Sequence, residues 1–374
     1  MTAAFKATVE QAALIKALGR VHRAVERRNT IPILGNVLID VQQDAIRFRA
    51  TDLDLEVSDS IKAEVAAKGS TTVPAHLLHD IVRKMPPGSQ VVIEQKDAGI
   101  IVKSGRARFT LPTLPISDFP DLTVGDMTHS FVMPGKDLLR LIQKAEFAIS
   151  TEETRYYLNG IFFHQSTMTG KNEKALRCVA TDGHRLAQVE MLLPEGADGI
   201  PGVIVPRKTV GEIARLFGPD SEIQIEMSQG KIRFSAGDIT LTSKLIDGTF
   251  PDYGRVIPQN NEKILKIGCK DLLAAADRVS TMSSERGRAV KVSMSNGKMV
   301  LSVTNPDSGS ATEELEAEYD SVELDIGFNS RYLTEILGQL DGDTAEIKLA
   351  DPGSPTIFTG SDEGSLYVLM PMRC

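Results

Sequence analysis

Cysteine is scarce in this sequence: Cys178, Cys269 and Cys374 lie far apart, are odd in number and form no CxxC pair. That argues against a disulfide framework and a cysteine zinc site, and points to a reducing cytoplasm. Long apolar runs are missing as well. No stretch approaches 18 uninterrupted apolar residues, so no membrane span is expected. Lys6, Glu10 and Lys16 interrupt the N-terminus where a signal peptide needs an apolar segment. The six histidines contain no HxH or HxxxH pair, so a histidine metal site is not expected. GxSxG, GxxxxGKS/T and a GxGxxG after a strand are all absent, which leaves a serine nucleophile elbow, nucleotide hydrolysis and dinucleotide binding without support. No cofactor and no metal are expected. A basic excess is absent too. The net charge is −8, which taken globally argues against nucleic acid.

What is present is a repeat. Phe119-Pro120-Asp121 closes a run that begins at Phe109, and Phe250-Pro251-Asp252 closes one that begins at Ile239, 131 residues on. Val73-Pro74 opens a helical pattern that stops at Pro86-Pro87-Gly88; Val205-Pro206 opens a second that stops at Gly218-Pro219. Phe328-Asn329-Ser330 opens a third that stops at Asp341-Gly342-Asp343. Each unit also carries an earlier amphipathic helix, over about Val9 to Val25, Lys136 to Ala148 and Lys270 to Thr281, with apolar residues at helical spacing. Alternating strand patterns fill the rest, and Asn296-Gly297 reads as a two-residue hairpin loop. The chain of 374 residues therefore reads as three α+β domains, 1–125, 126–258 and 259–374, each with two helices and antiparallel sheets. No proline- or serine-rich linker separates them, so tight joints are expected.

The candidate chemistry is thin. Asp52, Asp54 and Glu56 alternate with Leu53, Leu55 and Val57, which on a strand puts three carboxylates on one face, more simply a solvated face than a cation site. Thr181-Asp182-Gly183-His184-Arg185-Leu186 places an Asp near a His, as a hydrolase would, but no activated nucleophile accompanies them, and Asp-Gly also reads as a turn. Charge distribution says more. The six helical segments sum to +7 and the remainder to −15. Arg20, Arg23, Arg27, Arg28, Arg83, Lys84, Lys136, Arg140, Lys144, Arg207, Lys208 and Arg215 sit on or beside helices, an asymmetry that suits a helix-lined surface facing a polyanion.

Several motifs, in order and along the whole chain, resemble the bacterial β sliding clamps. They are Thr30-Ile31-Pro32-Ile33-Leu34-Gly35-Asn36, Arg155-Tyr156-Tyr157-Leu158-Asn159-Gly160, Ala180 to Ala187, Val205-Pro206-Arg207-Lys208, Ser243 to Gly248 with Phe250 to Tyr253, and Met370-Pro371-Met372-Arg373. The resemblance implies a ring-shaped homodimer of three-domain protomers, helices inside and sheets outside, around double-stranded DNA held without sequence preference. It implies no enzymatic activity. It also implies that the replicative polymerase, the clamp loader, and repair and translesion polymerases are held through a short clamp-binding peptide. DNA contacts carry over to Arg28, Arg83, Arg207, Lys208 and Arg255. The peptide pocket carries over to Arg155, Tyr157, Leu158, Thr181, Gly183, His184, Arg185, Leu186, Pro251, Val256, Met370, Pro371, Met372 and Arg373. For the dimer seam the resemblance points to the strand holding Arg106, Arg108, Phe109 and Leu111, opposite Met282 and the acidic Glu313 and Glu314. The chain departs from the family at Asp351 to Pro355, where an apolar pocket wall is common, at the acidic Thr151-Glu152-Glu153, and at the terminal Cys374, a small thiol in place of a large aliphatic residue.

Overall fold

Among the described residues, six α-helices form where segments put their apolar residues on one side. They are α1 (Gln11–Val21), α2 (Ala75–Arg83), α3 (Gly135–Gln143), α4 (Arg207–Leu216), α5 (Cys269–Ser280) and α6 (Ser330–Leu337). The computed structural model describes residues 5–96, 99–122, 125–283 and 289–373. In α2 the buried side is Ala75, Leu78, Ile81 and Val82, and Pro86-Pro87 prevents its continuation. The Asn329 side chain caps α6 by accepting from the Arg331 and Tyr332 amides.

The first helix is shorter than its pattern suggests in the first two repeats, while α5 matches its pattern to within a residue at each end. Val9 belongs to a strand, Lys6–Glu10, and α1 gives way after Val21 to a 3-10 turn, His22–Ala24. Strands His129–Pro134 and Lys263–Gly268 precede α3 and α5 in the same way. Glu10 makes no side-chain cap bond, so no start signal separates the first of these strands from its helix.

Contacts divide the chain into two compact units, Met1–Asp137 with Gly211–Leu245, and Leu138–Val210 with Ile246–Cys374. The first holds a five-stranded sheet in the order Glu64–Ala67, Lys6–Glu10, Gln90–Lys96, Gly99–Ser104, Ala107–Pro112. It also holds an eight-stranded sheet in the order His129–Pro134, Glu222–Met227, Lys231–Ala236, Ile239–Lys244, Leu55–Lys62, Ala45–Thr51, Asn36–Val41, Gly69–Pro74. Leu14, Leu18, Phe48 and Leu78 are fully buried in its core. The second unit holds an eight-stranded sheet, Val203–Pro206, Gly160–Thr167, Lys174–Thr181, Arg185–Leu192, Ser365–Leu369, Thr356–Thr359, Thr344–Leu349, Lys263–Gly268. Its four-stranded sheet runs Gly309–Glu316, Lys298–Asn305, Ala289–Ser295, Leu324–Asn329.

Both eight-stranded sheets pass through the joints between repeats. Leu55–Lys62 pairs antiparallel with Ile239–Lys244, Val57 opposite Leu241; Arg185–Leu192 pairs with Ser365–Leu369, Leu186 opposite Val368. Backbone hydrogen bonds join the repeats there, so no linker composition marks the boundary.

The expected acidic strand face at Asp52, Asp54 and Glu56 does not form. Asp52-Leu53-Asp54 is a turn between strands, with Leu53 at φ +82°. Asp52 Oδ1 accepts from the Asp54 and Leu55 amides at 2.9 and 2.8 Å, and Glu56 is 2% exposed and held by Arg49 at 3.1 and 2.8 Å.

Candidate functional site

The Thr181-to-Arg185 turn repeats the Thr51-to-Leu55 turn bond for bond. Thr181 Oγ1 donates to Arg185 O at 2.7 Å and accepts from the Gly183 amide at 3.1 Å; Asp182 Oδ1 accepts from the His184 and Arg185 amides at 2.9 and 3.1 Å. Thr51 and Asp52 make the same four bonds. Asp182 is therefore a turn former, with its carboxylate also on Arg185 Nε at 3.1 Å, and not a partner orienting a catalytic His184. Gly183 sits at φ +88°, and a Cβ there would lie 2.6 Å from Arg155 Nη1. The first copy accepts Leu53 at that position; in the second, a side chain would have to displace the Arg155 guanidinium.

Beside this turn lies a cavity of about 310 Å³ lined by Arg155, Tyr157, Leu158, Thr181, Gly183, Arg185, Leu186, Pro251, Asp252, Tyr253, Val256, Val368 and Met370. Its floor is a core cluster of Leu158, Val179, Leu186, Ile204, Phe250 and Val368, so the hollow is apolar and rigidly backed. Val256 and Met370 stand exposed at its mouth. Asp252, Tyr253 and Val368 were not anticipated. Alternation along Ser365–Leu369 would have placed Val368 on the opposite face from Tyr367, and Tyr253 closes the Phe-Pro-Asp-Tyr run. A relay fixes Tyr253: its hydroxyl accepts from Arg177 at 3.0 Å and donates to His164 Nε2 at 3.0 Å. The His164 Nδ1–H donates to Gln165 O at 2.8 Å, and Arg177 is paired with the buried Glu190 at 2.7 Å. Burial holds the His164 pKa below its ordinary value, so the ring remains an acceptor for Tyr253.

The two arginines of the groove play different parts. Arg185 is 6% exposed and each guanidinium nitrogen is engaged, with Asp182, Glu335 and Phe147 O as partners and the Phe147 and Tyr332 rings on its faces. It holds the turn against α6. Burial pushes Glu335 up, but its bonds to Arg185 and Arg331 more than offset this and hold it below the usual carboxylate range. Arg155 is half-buried at the rim and paired bidentately with Glu152 at 2.8 and 2.6 Å. The acidic departure at Glu152 thus restrains the one groove arginine whose head faces solvent.

Four expected pocket residues lie outside this cavity. His184 faces a neighbouring hollow beside Glu152, Arg207 and Tyr332. Pro371, Met372 and Arg373 line another, with Pro352 and Gly353 of the second departure. The tail is tied down by two amide bonds, Met370 to His184 O and Met372 to Gly327 O, each 2.8 Å. That sends the chain past the groove after Met370. Cys374 lies outside the described residues.

The helix charges are partly neutralised within the chain. Arg20 pairs with Asp59, Arg140 with Asp362, Lys144 with Asp341 and Arg215 with Glu212, all at 2.6 to 2.8 Å. Arg23, Arg27, Arg28, Lys84, Lys136, Arg207 and Lys208 are exposed, as is Arg83, 3.5 Å from Asp80. Arg255 is on no helix: it lies on the 3-10 turn Tyr253–Val256 at the groove's rim, on Asp252 at 2.8 Å.

The seam residues fall on sheet edges. Ala107–Pro112 is the last strand of the five-stranded sheet, and Gly309–Glu316 the last of the four-stranded one. Phe109 is 37% exposed, but Leu111 is 3% exposed and belongs to its own unit's core, so it presents nothing to a partner. Arg106 is in the turn before the strand, not on a face with Arg108. Glu313 is held by Arg278 and Glu314 by Lys298, so neither acid is unpaired. Met282 is half-buried, its Cε methyl 3.6 Å from where a Cβ of Gly309 would be.

Three copies of a two-helix, antiparallel-sheet unit, joined through their sheets, with an apolar groove beside the Thr181–Arg185 turn, define a repeat-built protein of the α+β class. Three domains of one family match in succession: DNA polymerase III beta subunit, N-terminal domain over residues 5–123, central domain over 132–252 and C-terminal domain over 254–373. The beta sliding clamp of Caulobacter vibrioides is 50% identical over 98% of this chain and all of its own length; that of Escherichia coli K12 is 37% identical over 98% and 100%. A solved sliding clamp of Bartonella birtlesii, bound to griselimycin, is 50% identical with a TM-score of 0.95 over 99% of this chain and all of its own. One of Caulobacter crescentus is 48% identical with a TM-score of 0.96 over 99% of each chain. The chain belongs to the DNA polymerase III beta subunit family, the β sliding clamps, and its function is that of the polymerase's processivity factor.

Proposed function

We propose that two copies of this chain close head to tail into a ring around duplex DNA, the domain at 1–125 of one meeting the domain at 259–374 of the other, with 126–258 between. The observation that carries the reading is the succession, in order, of the three family domains between residues 5 and 373. Two exposed sheet edges, Ala107–Pro112 and Gly309–Glu316, support it, because an edge strand left open is a template for pairing. Phe109 supplies the apolar contact near Met282. Arg106 and Arg108, against a strand carrying Glu313 and Glu314, set orientation more than affinity.

Arg28, Arg83, Arg207 and Lys208 hold the duplex through phosphates, without reading sequence. Long exposed cations suit this task, since weak contacts let a ring slide. The groove beside the Thr181–Arg185 turn takes a short peptide carrying a glutamine and large apolar residues. Through it the replicative polymerase, the clamp loader, and repair and translesion polymerases are tethered. Leu158, Leu186, Val256 and Met370 receive the apolar side chains, and Arg155 meets the peptide's polar groups. The protein acts in the cytoplasm and performs no reaction of its own. Imaging the purified protein by electron microscopy tests the assembly: a closed ring with a duplex-sized hole is expected, and isolated crescents at micromolar concentration would overturn it.

A further inference from the structure

Three histidines stand together, His22 on the 3-10 turn that follows α1 and His76 and His79 on α2. The rings of His22 and His79 are stacked, 4.0 Å between centroids and 10° between planes, and His76 meets His22 edge-on at 5.3 Å. Carbonyl oxygens only accept, so His22 donates its Nδ1–H to Leu18 O at 2.7 Å and His76 its Nε2–H to Val25 O at 2.9 Å. In the neutral state this leaves Nε2 of His22 and Nδ1 of His76 as bare lone pairs. All three rings are only partly buried. The lone pairs of a parallel stack lie in the ring planes and do not converge, and among the described residues no group of three such ligands could hold a metal ion.

The surroundings keep the stack uncharged at neutral pH. Burial is the chief reason both His22 and His79 resist protonation; His76 acts in the same direction on both, as do His79 and Arg23 on His22 and Arg83 on His79. The Leu18 carbonyl and Asp80, 3.7 Å from His79 Nδ1, pull the other way. Two imidazolium rings at stacking distance repel, and both flanking arginines are exposed to whatever anion approaches. An external negative charge is what this cluster lacks.

We infer that His22, His76 and His79 form a protonatable phosphate site, in which a DNA phosphate lying between Arg23 and Arg83 draws protons onto His22 and His79, so that holding DNA is coupled to proton uptake. The inference rests on the sliding-clamp reading only in naming duplex DNA as the polyanion. A phosphate favours the charged form of a neighbouring imidazole, and the imidazolium returns a charge-assisted hydrogen bond. The site carries its extra charge only while occupied, which adds grip without a permanent tight contact. By linkage, affinity rises as pH falls.

The test is affinity of the full-length protein for a short linear duplex at pH 8, 7 and 6 and constant ionic strength, with histidine Cε1–H resonances followed by NMR with and without duplex. Wild type is expected to bind about three- to tenfold tighter at pH 6 than at pH 8. The His22 and His79 signals should titrate at higher pH when duplex is present, and the double variant H22Q/H79Q should lose most of the gain. Duplex that binds while those titrations stay unmoved, or a pH gain intact in the folded double variant, overturns the inference and leaves the DNA reading standing. No duplex binding at any pH in low salt overturns both. If the double variant fails to fold, the wild-type titrations decide alone.

Discussion

Arg155 and Arg185 lie on the same groove and answer opposite questions. Arg185 is buried and bonded at each guanidinium nitrogen, so Arg185→Ala strips the Phe147 carbonyl of its partner and removes one of the two arginines on Glu335. It should cost about 2–3 kcal/mol of stability, read by denaturant unfolding. Arg155 is a rim residue restrained by Glu152. Arg155→Ala should leave stability within about 0.5 kcal/mol. It should weaken a clamp-binding peptide about three- to tenfold by calorimetry, the worth of one ordinary hydrogen bond. His164 sets a pH dependence. Burial lowers its pKa from the ordinary 6.5, so the folded state prefers the neutral ring. Stability is full above pH 6.5 and is lost as pH falls through the lower folded value. His22 and His79 are lowered too and share the slope. Melting temperature should drop from pH 7 to pH 5, and His164→Gln should flatten part of the drop; an unchanged slope would remove His164 from the account. Arg185's structural role was not legible in the sequence, because nothing local announces that Glu335, 150 residues away, closes on it.

At the scale of elements, the sequence signals helices better than the strands before them. Pro74, Pro86-Pro87 and Asn329 bracket helices with local chemistry, and α2, α4 and α6 follow. The strand Lys6–Glu10 runs into α1 without a cap, and five residues of alternation are too few to stand apart from a helical pattern. The same limit explains Asp52 to Glu56, where alternation suggested a strand and two Asx-type bonds make a turn instead. The groove was legible through Thr181-Asp182-Gly183 and Tyr157-Leu158, but not its exit, since only backbone bonds turn the tail away after Met370. Two predictions belong here. Phe109→Ala should weaken the dimer about tenfold or more without loss of fold, seen by light scattering on dilution, while Leu111→Ala should cost about 2–5 kcal/mol of stability because that side chain fills its own core. Removing residues 370–374 deletes two backbone bonds and the Met370 wall. The truncated protein should fold and lose the peptide; undiminished peptide binding would move the site elsewhere.

At the scale of the whole molecule, the global charge of −8 misleads because it averages acidic sheets with basic helices. Several helix cations are also spent on internal partners, Arg20, Arg140, Lys144 and Arg215 among them. The cations left exposed are fewer than the count suggested. Replacing Arg28, Arg207 and Lys208 by Ala should therefore weaken duplex binding regardless of sequence and flatten its salt dependence by about three units of slope at most. The central claim is that the protein holds DNA by enclosing it. The most direct measurement loads the protein onto circular duplex DNA with its clamp loader, raises the salt, and follows the bound fraction by gel filtration before and after one cut linearises the circle. Enclosure predicts retention on the circle at salt that abolishes phosphate contacts, and release once the ends are free. Equal retention on circular and linear DNA, or loss from the circle at the same salt as from a short duplex, would contradict it.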